Sequence, residues 1–546
     1  MEYDIIFVSG EVYVDHPLCG TAILKRVLEE QGFSVAVIEM PTKEEHVTRY
    51  GKPRLFFGVS SGSIDSMVRN YTPLKRLRKD DMNLEYGEDV PDRATTVFCN
   101  WIKKNYKDSI LVIGGTEATL RRFTHYDYWQ NRLRRSIMFD TRADIMVYGS
   151  SEKQIVEVAE RLKKSKKTDN FKLDNKIINQ KVLEGIKGTC IISRELPEDF
   201  VELPSHELVA ESNDQSLQKS KENFCKMQLM LTNNKNLAQK LEKRYILQYK
   251  MPIYTTKDLD YYYSLPYSRE IIKHMRGFQF SVVTHRGCIG SCNFCSLKLT
   301  QGDKIISRSE KAILEEMKHI LKHPKFKGKI DDLTGPSVNM YGMDCDGCDD
   351  KVGFVSVSGK SNTDEKYRRN CLDCKRLDRS NKKLISLLRK ARDVSGIFKI
   401  NIKSGIRYDL ASRELIEELT RYHIFETLRI APEHVNKDVL NLMNKNRGNL
   451  KKFIDDFKII TNDASLSMLS YYFITAHPGS SMKEANELSR KIETLRNAEH
   501  VQVFTPTPMT MSTCMYYTAM DPKTKKKIHV PYTYLEKKQQ KRVIMD

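Results

Sequence analysis

Two α/β units in series are predicted from the sequence: a doubly wound sheet at the N-terminus and a partial (β/α)6 barrel after it. Short apolar runs alternate with amphipathic helical stripes over residues 1–160, and again from Gly277 onward. The runs are continuous rather than alternating, as strands must be when helices cover both faces of a parallel sheet. At 546 residues the chain also exceeds one ordinary core.

In the first unit, strands are expected at Tyr3–Ser9, Ser34–Glu39, Arg54–Ser60, Ser109–Ile113 and Asp144–Tyr148. A helix between the first two carries Ile23, Leu24, Val27 and Leu28 on one face. Ligands of such a unit sit beyond the carboxyl ends of its strands. Residues 161–275 read as a connecting region, with a strand near Thr189–Ser193 and a helical stretch over Ser216–Leu247. The barrel spans 276–510, with strands at Phe278–Thr284, Lys329–Leu333, Ile397–Lys403, Glu426–Ile430, Ser467–Thr475 and Val501–Phe504. One of its helices presents Ile313, Leu314, Met317, Ile320 and Leu321, and another opens with the capping box Ser481–Glu484. A cysteine-containing insertion occupies 337–380, and 511–546 reads as a basic, mostly solvated tail.

The composition, 40% hydrophobic and 30% charged, is that of a globular protein. No apolar run approaches the roughly eighteen residues of a membrane span, and the N-terminus reads straight into a strand instead of a signal peptide. The twelve cysteines therefore point to a reducing cytoplasm, where clustered Cys bind metal more often than they form disulfides. The net charge of +20 reads as solvated lysine faces, with RNA as the competing explanation.

The strongest signal is GCIGSCNFC, in which Cys288, Cys292 and Cys295 have Cys-x3-Cys-x2-Cys spacing directly after the first barrel strand. Thiolates are what iron–sulfur clusters require, and a short loop can wrap three of them around one cube. Gly287 and Gly290 let the backbone bend and approach closely. A ferredoxin supplies four cysteines; three leave one iron open, which favours binding a small molecule over relaying electrons.

Cys345, Cys348, Cys371 and Cys374 form two Cys-x2-Cys pairs in the insertion, as in zinc ribbons. Structural zinc and a second iron–sulfur cluster both fit, zinc being the preferred reading. Cys19, Cys99, Cys190, Cys225 and Cys514 read as ordinary buried cysteines. The stretch Leu120–Ser136 alternates arginines with aromatics. It is either a phosphate or base-stacking element or an amphipathic helix with a solvated basic face. No P-loop, zinc-protease helix or Ser-centred elbow occurs.

The strings VDHPLCGTAILKRVLEEQGF, PRLFFGVSSGSIDSM, IGGTEATLRRFTHYDYW, GCIGSCNFCSL, SGIRYDL, LRIAPEH and PTPMTMSTCMYYT resemble the radical-SAM proteins of the YgiQ type, from residue 1 to about residue 520. The resemblance implies a 4Fe–4S cluster on Cys288, Cys292 and Cys295, with S-adenosylmethionine (SAM) chelating the open iron and being cleaved reductively. It implies SAM contacts from Phe294, the turn at Gly335, Ser404, Arg407 and Glu433. His434 and His477 stand at neighbouring strand ends. It also implies an electron donor such as a flavodoxin or ferredoxin. It supplies neither a substrate nor a catalytic acid or base.

A doubly wound domain ahead of such a barrel looks like the cobalamin-binding architecture of some radical methyltransferases. Their Asp-x-His-x-x-Gly loop is altered here to Asp15-His16-Pro17-Leu18-Cys19-Gly20. The loop is expected at the carboxyl edge of the sheet, without a His16–cobalt bond. The expected function is radical-SAM chemistry on an unidentified substrate. A tRNA-modifying methylthiotransferase or methyltransferase is the runner-up, and a non-catalytic iron–sulfur RNA-binding or redox protein the alternative from another class.

Overall fold

The computed structural model describes residues 2–78, 90–167, 181–211, 216–272, 277–345, 354–355, 367–368, 371–463, 466–495 and 500–545. Five parallel strands open the chain: β1 (Ile5–Ser9), β2 (Val35–Glu39), β3 (Phe56–Ser60), β4 (Leu111–Gly114) and β5 (Ile145–Val147). They lie in the order β2-β1-β3-β4-β5, the doubly wound arrangement the apolar runs predict. Successive side chains point to opposite faces. Accordingly Ile6, Val8, Phe57 and Val59 enter one core, while Ile5, Phe7, Phe56 and Val112 enter the other.

The sheet does not stop there. β6 (Thr189–Ser193) joins β5 antiparallel, followed by β9 (Arg244–Gln248), β8 (Leu237–Leu241) and β7 (Val201–Leu203). The region 161–275, expected only to connect, thus completes a nine-stranded sheet. The expected helix over Ser216–Leu247 is also corrected: it spans Leu217–Met230 and gives way to the β8–β9 hairpin. Thr232–Asn236 carries three asparagines, which favour turns over helix. Beyond it the burial of Leu237, Gln239 and Leu241 follows a strand period.

The barrel strands run β10 (Ser281–Val283), β11 (Asp332–Thr334), β12 (Lys399–Ile400), β13 (Leu428–Glu433), β14 (Leu469–Thr475) and β15 (His500–Val503). Neighbours pair in parallel: β10 with β11, Lys329–Ile330 with β12, and β14 with β13 on one side and β15 on the other. An Ile406–Ile430 bridge closes the remaining step. This is the partial six-unit barrel, held by one core that includes Ile313, Met317, Leu388, Leu419, Phe457 and Leu488 from its helices. The Ser481–Glu484 capping box is formed.

The tail is not solvated as expected. Helix Met511–Thr518 is buried, and helix Tyr534–Met545 packs on helix Met482–Ile492. Its buried anchors are polar: Gln540 donates to the Ser480 carbonyl at 2.8 Å and accepts from the Ala476 amide at 3.0 Å. Leu120–Ser136 is not the amphipathic helix that was one of its two readings. His125–Asp127 and Arg132–Arg134 form a β-hairpin. Arg121 is ion-paired with Asp65, and Arg134 and Arg135 are held by Asp140. Arg122 is fully buried and donates to Gln248 and Asn233, each at 2.7 Å.

Candidate active site

The cysteine loop leaves β10 through a two-residue ladder, His285–Arg286 against Ile306–Ser307. Gly287 has φ 87, and a Cβ there would collide with the Lys304 carbonyl. At Gly290 a Cβ would lie 2.8 Å from Arg407 Nη1 and 3.3 Å from Cys288 Sγ. Only glycine leaves that space between thiols and guanidinium.

Cys288, Cys292 and Cys295 line a cavity of about 510 Å3 at the carboxyl ends of the barrel strands. Phe294, Ser404, Arg407 and Glu433 line the same cavity. Gly335 lines a second cavity next to it, with its Cα against the His285 ring. Asp332, Lys403, Arg429 and Lys445 also line the first cavity and were not singled out from the sequence. Asp332 and Lys403 occupy the strand ends that the βα rhythm marks. Lys445 comes from a loop that carries no such signal.

Ser404 donates to Asp332 Oδ2 at 2.7 Å, and Asp332 Oδ1 accepts from the Lys403 amide at 2.7 Å. Burial nevertheless raises the Asp332 carboxyl above its ordinary range. Arg407 is already committed: Nε and Nη2 grip Asp409 at 3.0 and 2.7 Å, leaving Nη1 facing Cys292 Sγ at 3.5 Å. Two of its three nitrogens are thus taken by Asp409, and the third points at Cys292.

Glu433 ends β13 at a register shift, with φ 70. Non-glycine residues hold that conformation only under constraint. Its carboxyl is buried and raised, with Lys445 Nζ 3.6 Å away. His434 keeps a buried Nε2 without a protein partner. His477 is used up structurally, its nitrogens contacting the Pro478 carbonyl at 2.7 Å and Ser512 Oγ at 2.6 Å.

Burial raises the Cys288 thiol, and pushes Cys295 up to about 12. Metal binding at such thiols must displace their protons. Among the described residues no three His, Cys, Asp or Glu side chains close around one point as a single-ion site does. A cubane takes its ligands at separate corners, so three thiols spread along one cavity wall suit it. Cys345, Cys371 and Cys374 line a small cavity of about 40 Å3 together with Ile289, directly behind the cysteine loop. Cys348 lies outside the described residues.

The second large cavity, about 450 Å3, lies between the barrel and the carboxyl ends of β1, β3, β4 and β5. Ser9, Ser60, Thr116 and Ser151 face it, and Leu18, Thr334 and Pro336 line both cavities. The Asp15–Gly20 loop forms part of this boundary, at the sheet edge as expected. Its polar side chains are engaged within the protein instead, Asp15 with Arg26 and Ser268 and His16 with the barrel. His16 is 2% exposed; Nδ1 accepts from the Leu18 amide at 3.0 Å, so Nε2 donates to the Gln279 carbonyl at 2.9 Å. Burial first, and then Arg269, lowers its pKa to about 3. Asp15 accepts from Arg26 at 2.9 Å and from the Ser268 amide at 2.9 Å. Neither ring nitrogen of His16 is left for a metal.

The radical-SAM N-terminal family matches residues 1–282. A UPF0313 protein of Methanocaldococcus jannaschii is 39% identical, with 100% of this chain and 89% of that protein covered. One from Clostridium botulinum is 38% identical over 99% of this chain and 84% of its own length. One from Fusobacterium nucleatum is 36% identical, covering 100% and 96%. Among solved structures, the radical SAM methyltransferase TsrM of Kitasatospora setae, with cobalamin and a 4Fe–4S cluster bound, superposes with TM-score 0.51. The identity is 13%, and 94% of this chain and 79% of TsrM are covered. At that identity the likeness speaks to the fold, a wound domain followed by a barrel.

Proposed function

We propose that this chain, which belongs to the UPF0313 family and carries the radical-SAM N-terminal domain, holds a 4Fe–4S cluster on Cys288, Cys292 and Cys295 and binds SAM beside it. The observation that carries this is the single cavity at the barrel's strand ends, lined by all three thiols and by a ring of polar strand-end residues. Held there by the three cysteines, a cluster with one open iron would supply the electron for reductive cleavage of SAM. The motif strings resembling YgiQ-type proteins run through these same residues.

The protein's own groups divide the work. Cys288, Cys292 and Cys295 lose protons to hold iron, and Arg407 offsets the charge at Cys292. Asp332 and Ser404 present a paired acceptor and hydroxyl to the sugar or amino end of SAM. Arg429 and Lys445 are the cations positioned to meet its carboxylate, since Arg407 is held by Asp409. The adjoining 450 Å3 cavity receives the substrate, next to Leu18, Thr334 and Pro336. Its hydroxyl and glycine lining suits a large polar ligand. A corrinoid, as in TsrM, would sit there without a bond to His16.

A second reading, methyl or methylthio transfer to RNA, is favoured by the net charge of +20. Reduction by a flavodoxin- or ferredoxin-type donor and a cytoplasmic location belong to either reading. Cys345, Cys371 and Cys374 share the small cavity behind the cysteine loop without closing around one point, so on the zinc reading they draw together with Cys348 when the ion binds. Changing Cys348 and Cys374 to Ser should remove zinc and leave the cluster's absorbance. Loss of additional iron instead would make the second site an iron–sulfur centre. The test of the main reading is the electron paramagnetic resonance of the reduced cluster, which should change when SAM is added. A full cluster whose spectrum ignores SAM would have no open iron.

A further inference from the structure

Two stretches of the strings singled out in the sequence, HYDYW and MTMSTCMYYT, line no part of the cluster cavity, yet they meet in space. Tyr126 and Tyr128 from the first, and Tyr516 and Tyr517 from the second, line a cavity of about 600 Å3 closed by helix Tyr534–Met545. Six tyrosines and three lysines line it, with no Asp or Glu among the lining residues. The lysines are Lys75, Lys221 and Lys537.

Lys537 is the unusual group. It is 3% exposed, and its ammonium donates to Tyr128 Oη at 3.0 Å and Tyr516 Oη at 2.8 Å. It lies 4.9 Å from both ring centroids. Among the described residues it makes no salt bridge, and neighbouring Glu536 is bonded to His529. A buried cation without a carboxylate is a costly arrangement unless an anion completes it. Lys75 adds a second ammonium, 4.6 Å from the Tyr128 ring. Tyr126, Tyr128 and Tyr516 are buried, so the flat surfaces beside these charges are the more open rings of Tyr517, Tyr532 and Tyr534. Tyrosine faces accept a stacked base regardless of its identity, and the volume lies in the range of small-ligand sites.

We propose that this cavity binds a phosphorylated nucleoside, with its phosphate on Lys537 and Lys75 and its base against the tyrosine rings. The ligand is either a free nucleotide or the 5′ end of an RNA strand, and the proposal does not rest on the cluster chemistry.

The test is calorimetric titration of the full-length holoprotein with each nucleoside monophosphate, the matching nucleosides, inorganic phosphate, and a short oligoribonucleotide with and without a 5′ phosphate. At least one phosphorylated ligand, nucleotide or oligonucleotide, should saturate one site, with its unphosphorylated counterpart weaker by about tenfold or more. Equal binding by free nucleotide and 5′-phosphorylated strand identifies a nucleotide site; binding of the strand alone identifies an RNA end. Lys537→Gln should weaken the ligand about tenfold with the melting temperature checked in parallel. Lys221→Gln at the rim gives a smaller loss and covers the case in which Lys537→Gln fails to fold. Affinity should also fall as pH rises through about 8, because burial and then Lys75 lower the Lys537 ammonium to that value against a weaker pull from Glu536. The facing tyrosines titrate higher, Tyr128 at about 12 and Tyr516 above that. Phosphorylated and unphosphorylated ligands binding alike, phosphate alone binding as tightly as any nucleotide, or lysine variants binding as wild type would each overturn the proposal.

Discussion

The cysteine loop of the barrel and the Asp15–Gly20 loop of the wound domain hold equivalent positions. Each follows the carboxyl end of the first parallel strand of its unit, β10 or β1, where α/β folds place their ligands. In the barrel loop, three thiols line an open cavity and their neighbour Arg407 is aimed at one of them. In the wound-domain loop, Asp15 is taken up by Arg26 and Ser268, and His16 by Gln279, the one of these bonds that ties the loop to the barrel. Position at a strand end is shared; what separates site from fastener is whether the donor atoms are left unused.

The sharpest break in that comparison is metal content. Cys295→Ser should leave reconstituted protein with background iron, whereas His16→Ala should retain a full cluster. Release of a metal or corrinoid by His16→Ala would erase the contrast. Iron loading should also improve as pH rises, since the buried thiols must first lose protons.

Next in size is Arg407→Leu, which strands Asp409 in a site where the pair is only 7% and 4% exposed. Breaking a buried pair from one side costs about 3–5 kcal/mol, measurable by denaturant unfolding of the metal-free protein. Pairing Arg407→Leu with Asp409→Leu should recover much of that loss. An unchanged midpoint in the single variant would mean that the pair does not support the cysteine loop.

The smallest effect concerns His16 and has a definite sign. Its folded pKa of about 3 lies below the ordinary 6.5, so the unfolded chain binds the extra proton. The stability contributed by the neutral ring is complete above pH 6.5 and is lost as pH falls toward 3. The slope is at most about 1.4 kcal/mol per pH unit. His16→Asn should flatten the stability profile between about pH 4 and 6 by up to that amount. A His16 that titrates near 6.5 by nuclear magnetic resonance would show that it does not fasten the units as described.

These contrasts explain what was legible. The five wound strands were readable as continuous apolar runs and the six barrel strands from the recurring βα rhythm, and the cysteines because their spacing has few other uses. β7–β9 were missed because Leu237–Leu241 reads Leu-Ala-Gln-Lys-Leu, a string equally at home on a helix. The tail was misread because its anchors, Lys537 and Gln540, are polar groups buried by partners far away in sequence. Arg407 lines the cavity, but the partner that already holds it was not legible. Nothing in SGIRYDL shows that Asp409, two residues on, folds back onto the guanidinium. Sequence periodicity reports burial; it does not report which hydrogen bonds are already taken.

The central claim is that three thiols with one open position make this cavity a radical-generating site. The most direct measurement is 5′-deoxyadenosine formed from SAM by anaerobically reconstituted, chemically reduced protein. The account predicts product from the wild type and none from Cys292→Ala. Wild-type protein carrying a full, reduced cluster that binds SAM yet forms no 5′-deoxyadenosine would contradict it.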